Sequence, residues 1–110
     1  MATILNQFKT VTAVLTTSNV SLYTPPTGYT GVILMAQVAN ITSTASSVDM
    51  SFYDGTSYTS LLKGYSVPGN DATSATVGKL VIEYGKSLYG QAAANSTLHV
   101  TLSILETFNG

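Results

Sequence analysis

The chain has 110 residues, of which 45% are hydrophobic and only 8% charged, and it carries a net charge of −1. Four Lys and no Arg leave no basic stripe for nucleic acid or for an anionic membrane surface, and the absence of Cys removes disulfides and thiolate metal sites. The polar complement is instead 13 Ser and 17 Thr, a neutral hydroxyl-rich surface around enough apolar residues for one core.

Along the chain the hydrophobic period is two, the signature of strands with one face buried. Residues 1–8, with apolar Ile4, Leu5 and Phe8, precede that pattern. They are expected to form an N-terminal arm, either docked on a neighbour or a larger shell or frayed as a chain end, with a sandwich domain over 9–107. The opening MATILNQFKT lacks the basic and apolar regions of a signal peptide. Val11, Ala13 and Leu15 alternate with Thr10, Thr12 and Thr16, and Val20 and Leu22 follow. Pro25-Pro26 must end that strand, since neither can donate to a ladder. Tyr29 to Ile41 forms the longest strand. Its two faces read as Val32/Leu34/Ala36/Val38 and Ile33/Met35/Ala39/Ile41, and both are apolar, so one is expected to lie on the core and the other against a second subunit. That assigns Ile33, Met35 and Ile41 to an interface, together with Ile4, Leu5 and Phe8.

A Ser/Thr loop over 40–47 leads to Val48, Met50 and Phe52. Asp54-Gly55 predicts a two-residue hairpin turn into a strand from Tyr58 to Tyr65. Further turns are signalled at Val67-Pro68-Gly69-Asn70-Asp71, Tyr84-Gly85 and Asn95-Ser96. Between and after them Leu80/Ile82, then Leu88/Gly90/Ala92, then Leu98/Val100/Leu102/Ile104 alternate with polar residues. About eight short strands and no helical period predict a single all-β, antiparallel, jelly-roll-like sandwich.

Chemistry finds little purchase. His99 is the one His and lies opposite Leu98 and Val100, a surface or interface position. Asp49 and Asp54 flank a strand five residues apart and face opposite sides, a poor calcium cradle. Glu83 and Glu106 each end a strand, where a solvated acid sits, which weighs against a glycosidase pair. No G-x-S-x-G elbow, zinc spacing or phosphate-cradling loop occurs. No catalytic residue, metal or cofactor is therefore expected. Seven Tyr outnumber three Phe. Tyr53 and Tyr58 flank the Asp54-Gly55 turn, either as a cross-strand pair or as amphipathic contacts for a partner protein or a glycan.

Several segments carry a resemblance. Lys9-Thr10-Val11-Thr12-Ala13, Leu22-Tyr23-Thr24-Pro25-Pro26-Thr27-Gly28, Ala36-Gln37-Val38-Ala39-Asn40, Val67-Pro68-Gly69, Gly78-Lys79-Leu80-Val81-Ile82-Glu83 and Thr101-Leu102-Ser103-Ile104-Leu105-Glu106 together resemble small β-sandwich virion structural proteins of tailed bacteriophages, cyanophages among them. Where such proteins often have Gly-Asp before the penultimate strand, this chain has Tyr84-Gly85-Lys86. The resemblance implies a non-enzymatic virion protein. A capsid decoration or cement protein is expected, acting as a homo-oligomer, by analogy a trimer, against the major capsid protein or tail proteins. The alternatives are a tail or fibre component that contacts the host, or a carbohydrate-binding β-sandwich module.

Overall fold

The computed structural model describes residues 6–76 and 78–108. Among these described residues are nine strands: β1 (Asn6–Val14), β2 (Val20–Tyr23), β3 (Tyr29–Asn40), β4 (Ser46–Tyr53), β5 (Tyr58–Val67), β6 (Ala72–Ser74), β7 (Leu80–Ile82), β8 (Ser87–Ala92) and β9 (Leu98–Phe108). One sheet runs β1-β9-β3-β6, with β7 also paired to β3; the other runs β2-β8-β4-β5. Every pairing is antiparallel. β1 pairs with β9, β2 with β8, β3 with β6 and β7, and β4 with β5. The chain is thus one long hairpin with its tip between β4 and β5, rolled so that alternate pairs fall in opposite sheets. That is jelly-roll order, and the sixth position of the roll is split into two short strands, β6 and β7.

The strand β9 shows why the sequence takes this shape. Leu98, Val100, Leu102 and Ile104 are all buried, while His99, Thr101 and Ser103 are not, so period two turns one complete side to the core. Leu15, Ile33, Val38, Val48, Met50, Val67, Ile82 and Leu88 close the same core from both sheets.

Three readings of the sequence are corrected. The 29–41 strand does not keep its phase: the register against β9 shifts between Ile33 and Met35, a bulge that adds Leu34. The inward set is therefore Gly31 and Ile33 before the bulge and Ala36, Val38 and Asn40 after it. Ile33, expected at an interface, is fully buried in the core. Second, β1 begins at Asn6 and pairs with β9 from that residue, so Phe8 is a sheet residue rather than part of an arm. Ile4 and Leu5 lie outside the described residues. Third, the hairpin after Tyr53 is four residues long. Asp54 Oδ1 accepts the backbone N–H groups of Thr56 and Ser57 at 2.9 and 2.8 Å, the turn that an Asp side chain favours. These two backbone donors, Ser57's above all, hold the Asp54 carboxyl below its ordinary range. The three-residue β6 carries no alternating pattern, and the sequence reading passes over it.

The loop over 41–45 is organised by one buried amide. Asn40 Nδ2 donates to the carbonyls of Thr44 and Val67, and its Oδ1 accepts from the N–H and hydroxyl of Thr42. All hydrogen-bonding sites of a buried Asn are then used, so its burial carries little penalty.

Candidate functional site

Directly opposed residues of neighbouring strands share a face, so the register writes out what each sheet presents to its surroundings. On the outside of the five-stranded sheet, Phe8 lies opposite Leu105, Leu105 opposite Val32, and Val32 opposite Val81. These four side chains make one apolar row across four strands. Phe8 is 80% exposed and Val81 54%. The next row contributes Met35 beside Ser103 and Thr10, again with Met35 exposed. At the far end His99 stands between Val14 and Ala39, opposite both. His99 is exposed. Ile41 is also exposed but lies just beyond β3. Of the six residues expected at an interface, the structure brings Phe8 and Met35 together on this face. It leaves Ile41 outside at the other end of the strand and moves Ile33 to the core.

The four-stranded sheet presents different chemistry. Its outward positions pair Tyr53 with Tyr58 and Ser87, Ser51 with Tyr89 and Ser60, Asp49 with Gln91, and Ser47 with Ser66. No aliphatic side chain occupies those positions. Tyr53 and Tyr58 stack with ring centroids 4.6 Å apart and planes tilted by 35°. Tyr89, brought in by β8, meets both rings edge-on at 5.7 and 5.2 Å, the arrangement that ring quadrupoles favour. The Tyr53 hydroxyl donates to the Gly55 carbonyl at 3.0 Å. Crowding by the neighbouring rings, together with the bond to Tyr89, raises the pKa of Tyr58. Sequence reading could pair Tyr53 with Tyr58 across their turn, but nothing local ties Tyr89 to them.

A third cluster lies inside the sandwich. Glu106, expected to be solvated, is fully buried. Its Oε1 accepts from Gln7 Nε2 at 2.6 Å and its Oε2 from the Tyr23 hydroxyl at 2.6 Å, with Lys9 Nζ 3.6 Å from Oε2. Gln7 and Lys9 come from β1, Glu106 from β9, and Tyr23 from β2 of the opposite sheet, so one carboxylate ties three strands and both layers. Burial pulls its pKa upward. The bonds from Tyr23 and Gln7 and the Lys9 ammonium together outweigh that and hold it below the ordinary value. The same burial and the Glu106 bond push the Tyr23 hydroxyl far above the usual tyrosine range. Gly31 makes the room: a Cβ there would lie 2.5 Å from the Tyr23 hydroxyl oxygen and 2.6 Å from its ring.

Glu83, the other acid weighed with Glu106, is exposed and bonded to Lys86 at 2.7 Å. Among the described residues no group of three or more His, Cys, Asp or Glu could hold a metal ion.

No protein-family model matches the sequence, and no curated protein matches it. A solved structure described by the words "Bacillus endospore appendages form a novel family of disulfide-linked pili" resembles it in fold, with a TM-score of 0.56 at 8% sequence identity over 96% of this chain and 87% of that one. The likeness spans nearly the whole sandwich and is one of backbone architecture.

Proposed function

We propose that this chain is a non-enzymatic structural subunit that assembles with copies of itself, and that it serves as a decoration protein on a phage capsid. The observation that carries the reading is the apolar row Phe8–Leu105–Val32–Val81, with Met35 beside it, on the outside of the five-stranded sheet. Burying a side chain of this kind stabilises by about 1.5–3 kcal/mol, so a row of four or five is a strong reason for two copies to meet there. We take the occupant to be a second copy of the chain: the row meeting itself would be an isologous contact and give a dimer, whereas a trimer sets it against a different patch of the neighbouring copy. The trimer rests on analogy with decoration and fibre proteins.

Two further points support the class. Only 8% of the residues are charged, so contacts can form with few ions to desolvate, a step that costs several kcal/mol each. The fold is similar to that of a protein described as belonging to a family of pili. That protein is described as disulfide-linked; a chain without Cys must hold its neighbours by non-covalent contacts alone. The placement on a capsid follows the resemblance of the turn and strand segments to virion proteins. A tail or fibre component is the runner-up.

Quantitative mass spectrometry of purified particles, referenced to the major capsid protein, tests the placement. Hundreds of copies per particle are expected for a decoration protein. A few to a few dozen move the reading to the tail or fibre, and none overturns it.

A further inference from the structure

Beside the tyrosine cluster, the outer face of the four-stranded sheet is indented by a cleft of about 180 Å³. Asp49, Tyr58, Ser60, Lys63 and Gln91 line it, together with the apolar side chains of Met50 and Leu62. Its shape has a local cause. The register of β5 against β4 slips on both sides of Leu62, and Gly64 takes a φ of 59° with its N–H held by Asp49 Oδ1 at 2.5 Å. Irregularities of this kind bend the strand that carries them and disrupt its ladder locally.

The chemistry of the lining selects a ligand class. One carboxylate and one ammonium cancel, so neither a phosphate nor a metal cation finds a matching field. Met50 at the cleft is fully buried and Leu62 partly so, so the two offer a protein partner no broad apolar seat. What remains is a half-exposed aromatic ring next to groups that both donate and accept hydrogen bonds, which is what a polyhydroxyl ring with apolar C–H faces requires. The polar groups are already held. Gln91 Nε2 donates to the Thr17 carbonyl at 2.6 Å, and Asp49 is fixed by Gly64, which leaves the Gln91 Oε1 and the Asp49 Oδ2 as acceptors at little ordering cost. Tyr58 is fixed by its contacts with Tyr53 and Tyr89. The volume is below the roughly 300–1,000 Å³ that encloses a drug-sized ligand and suits a single ring of a longer chain.

We infer that this cleft binds one ring of a neutral saccharide, with Tyr58 as the stacking platform and Asp49, Gln91, Ser60 and Lys63 as its hydrogen-bonding partners. Tyr53 is a supporting residue, half-buried beneath the cluster with its hydroxyl committed to Gly55. The site lies on the sheet opposite to the apolar row, so it stands or falls independently of assembly.

Affinity electrophoresis through gels carrying soluble starch, hydroxyethylcellulose or galactomannan, with a printed array of neutral oligosaccharides, tests this on the full chain. Retardation by at least one of these polymers or a signal on the array is expected. It should weaken about tenfold in Tyr58→Ala and also fall in Gln91→Ala, a surface change that leaves the tyrosine packing in place. Phe8→Ser on the other sheet should leave the single-site affinity for a soluble oligosaccharide unchanged, whatever it does to retardation by the polymers. Absence of binding to every neutral glycan, binding confined to sulfated or phosphorylated glycans, or binding that survives both cleft variants would each overturn the inference.

Discussion

The two outer faces of the sandwich come from the same kind of strand and carry opposite chemistry. One shows Phe8, Leu105, Val32, Val81 and Met35; the other shows Tyr53, Tyr58, Tyr89, Asp49, Gln91 and a set of serines. Period two explains only which residues turn inward. What is placed at the outward positions is free to differ, and here it differs by sheet. An apolar outer face on a strand-rich protein invites association, while a hydroxyl and tyrosine face stays in water until a polar ligand meets it. The two faces also differ in how they are held. The apolar row depends on β1, an edge strand, and β1 is tied down from inside by Gln7 and Lys9 on Glu106.

The sharpest way to break this contrast is to charge the apolar row. Phe8→Asp with Val81→Asp should raise the dissociation constant of the oligomer at least a hundredfold, about 3 kcal/mol, by sedimentation equilibrium. The matched pair Ser51→Asp with Ser60→Asp, on the other face, should change it less than twofold. Equal effects from the two pairs would erase the distinction.

Removing the internal tie is next in size. Glu106→Ala leaves the Tyr23 hydroxyl, the Gln7 amide and the Lys9 ammonium without their acceptor, and should cost about 3 kcal/mol in urea unfolding. Hydrogen exchange should locate the loosening in β1. A change confined to β9 would show that β1 is held by its ladder alone. Gly31→Ala pushes a methyl group against the Tyr23 ring and should cost about 1–3 kcal/mol without altering the charge of the cluster.

The smallest effect is in pH. Glu106 titrates lower in the folded chain than its ordinary value of 4.5. Below that value the unfolded chain takes up the proton first, so protonation favours unfolding. Stability contributed by this group is complete above about 4.5 and is lost as pH falls through the folded-state value. Urea midpoints should therefore hold steady from neutral pH down to about 5 and decline below it, and Glu106→Gln should flatten that decline. A decline of the same size in the variant would assign it to other carboxylates.

Much of this architecture was legible in the residues. The alternation in 98–104 and 48–52 marks strands and their inward sides, and Pro25-Pro26, Asn70 and Gly85 mark the breaks. What could not be read depended on a register or on distant partners. The single inserted residue Leu34 inverts the phase of half of β3, and a one-residue slip exchanges the two faces of a strand; this is why Ile33 looked like a surface residue. Glu106 looked like a solvated strand end because Gln7, Lys9 and Tyr23, which make its burial tolerable, lie more than 80 positions away. Tyr89 joins Tyr53 and Tyr58 only once β8 is placed beside β4.

Sedimentation velocity of the unmodified chain at micromolar concentration bears most directly on the claim that the apolar row meets a second copy. The account predicts a discrete species at a multiple of 11.5 kDa, three by preference, that shifts to the single-chain mass in the Phe8→Asp, Val81→Asp variant. A chain that sediments as one 11.5 kDa particle with Phe8 and Val81 both intact would contradict it.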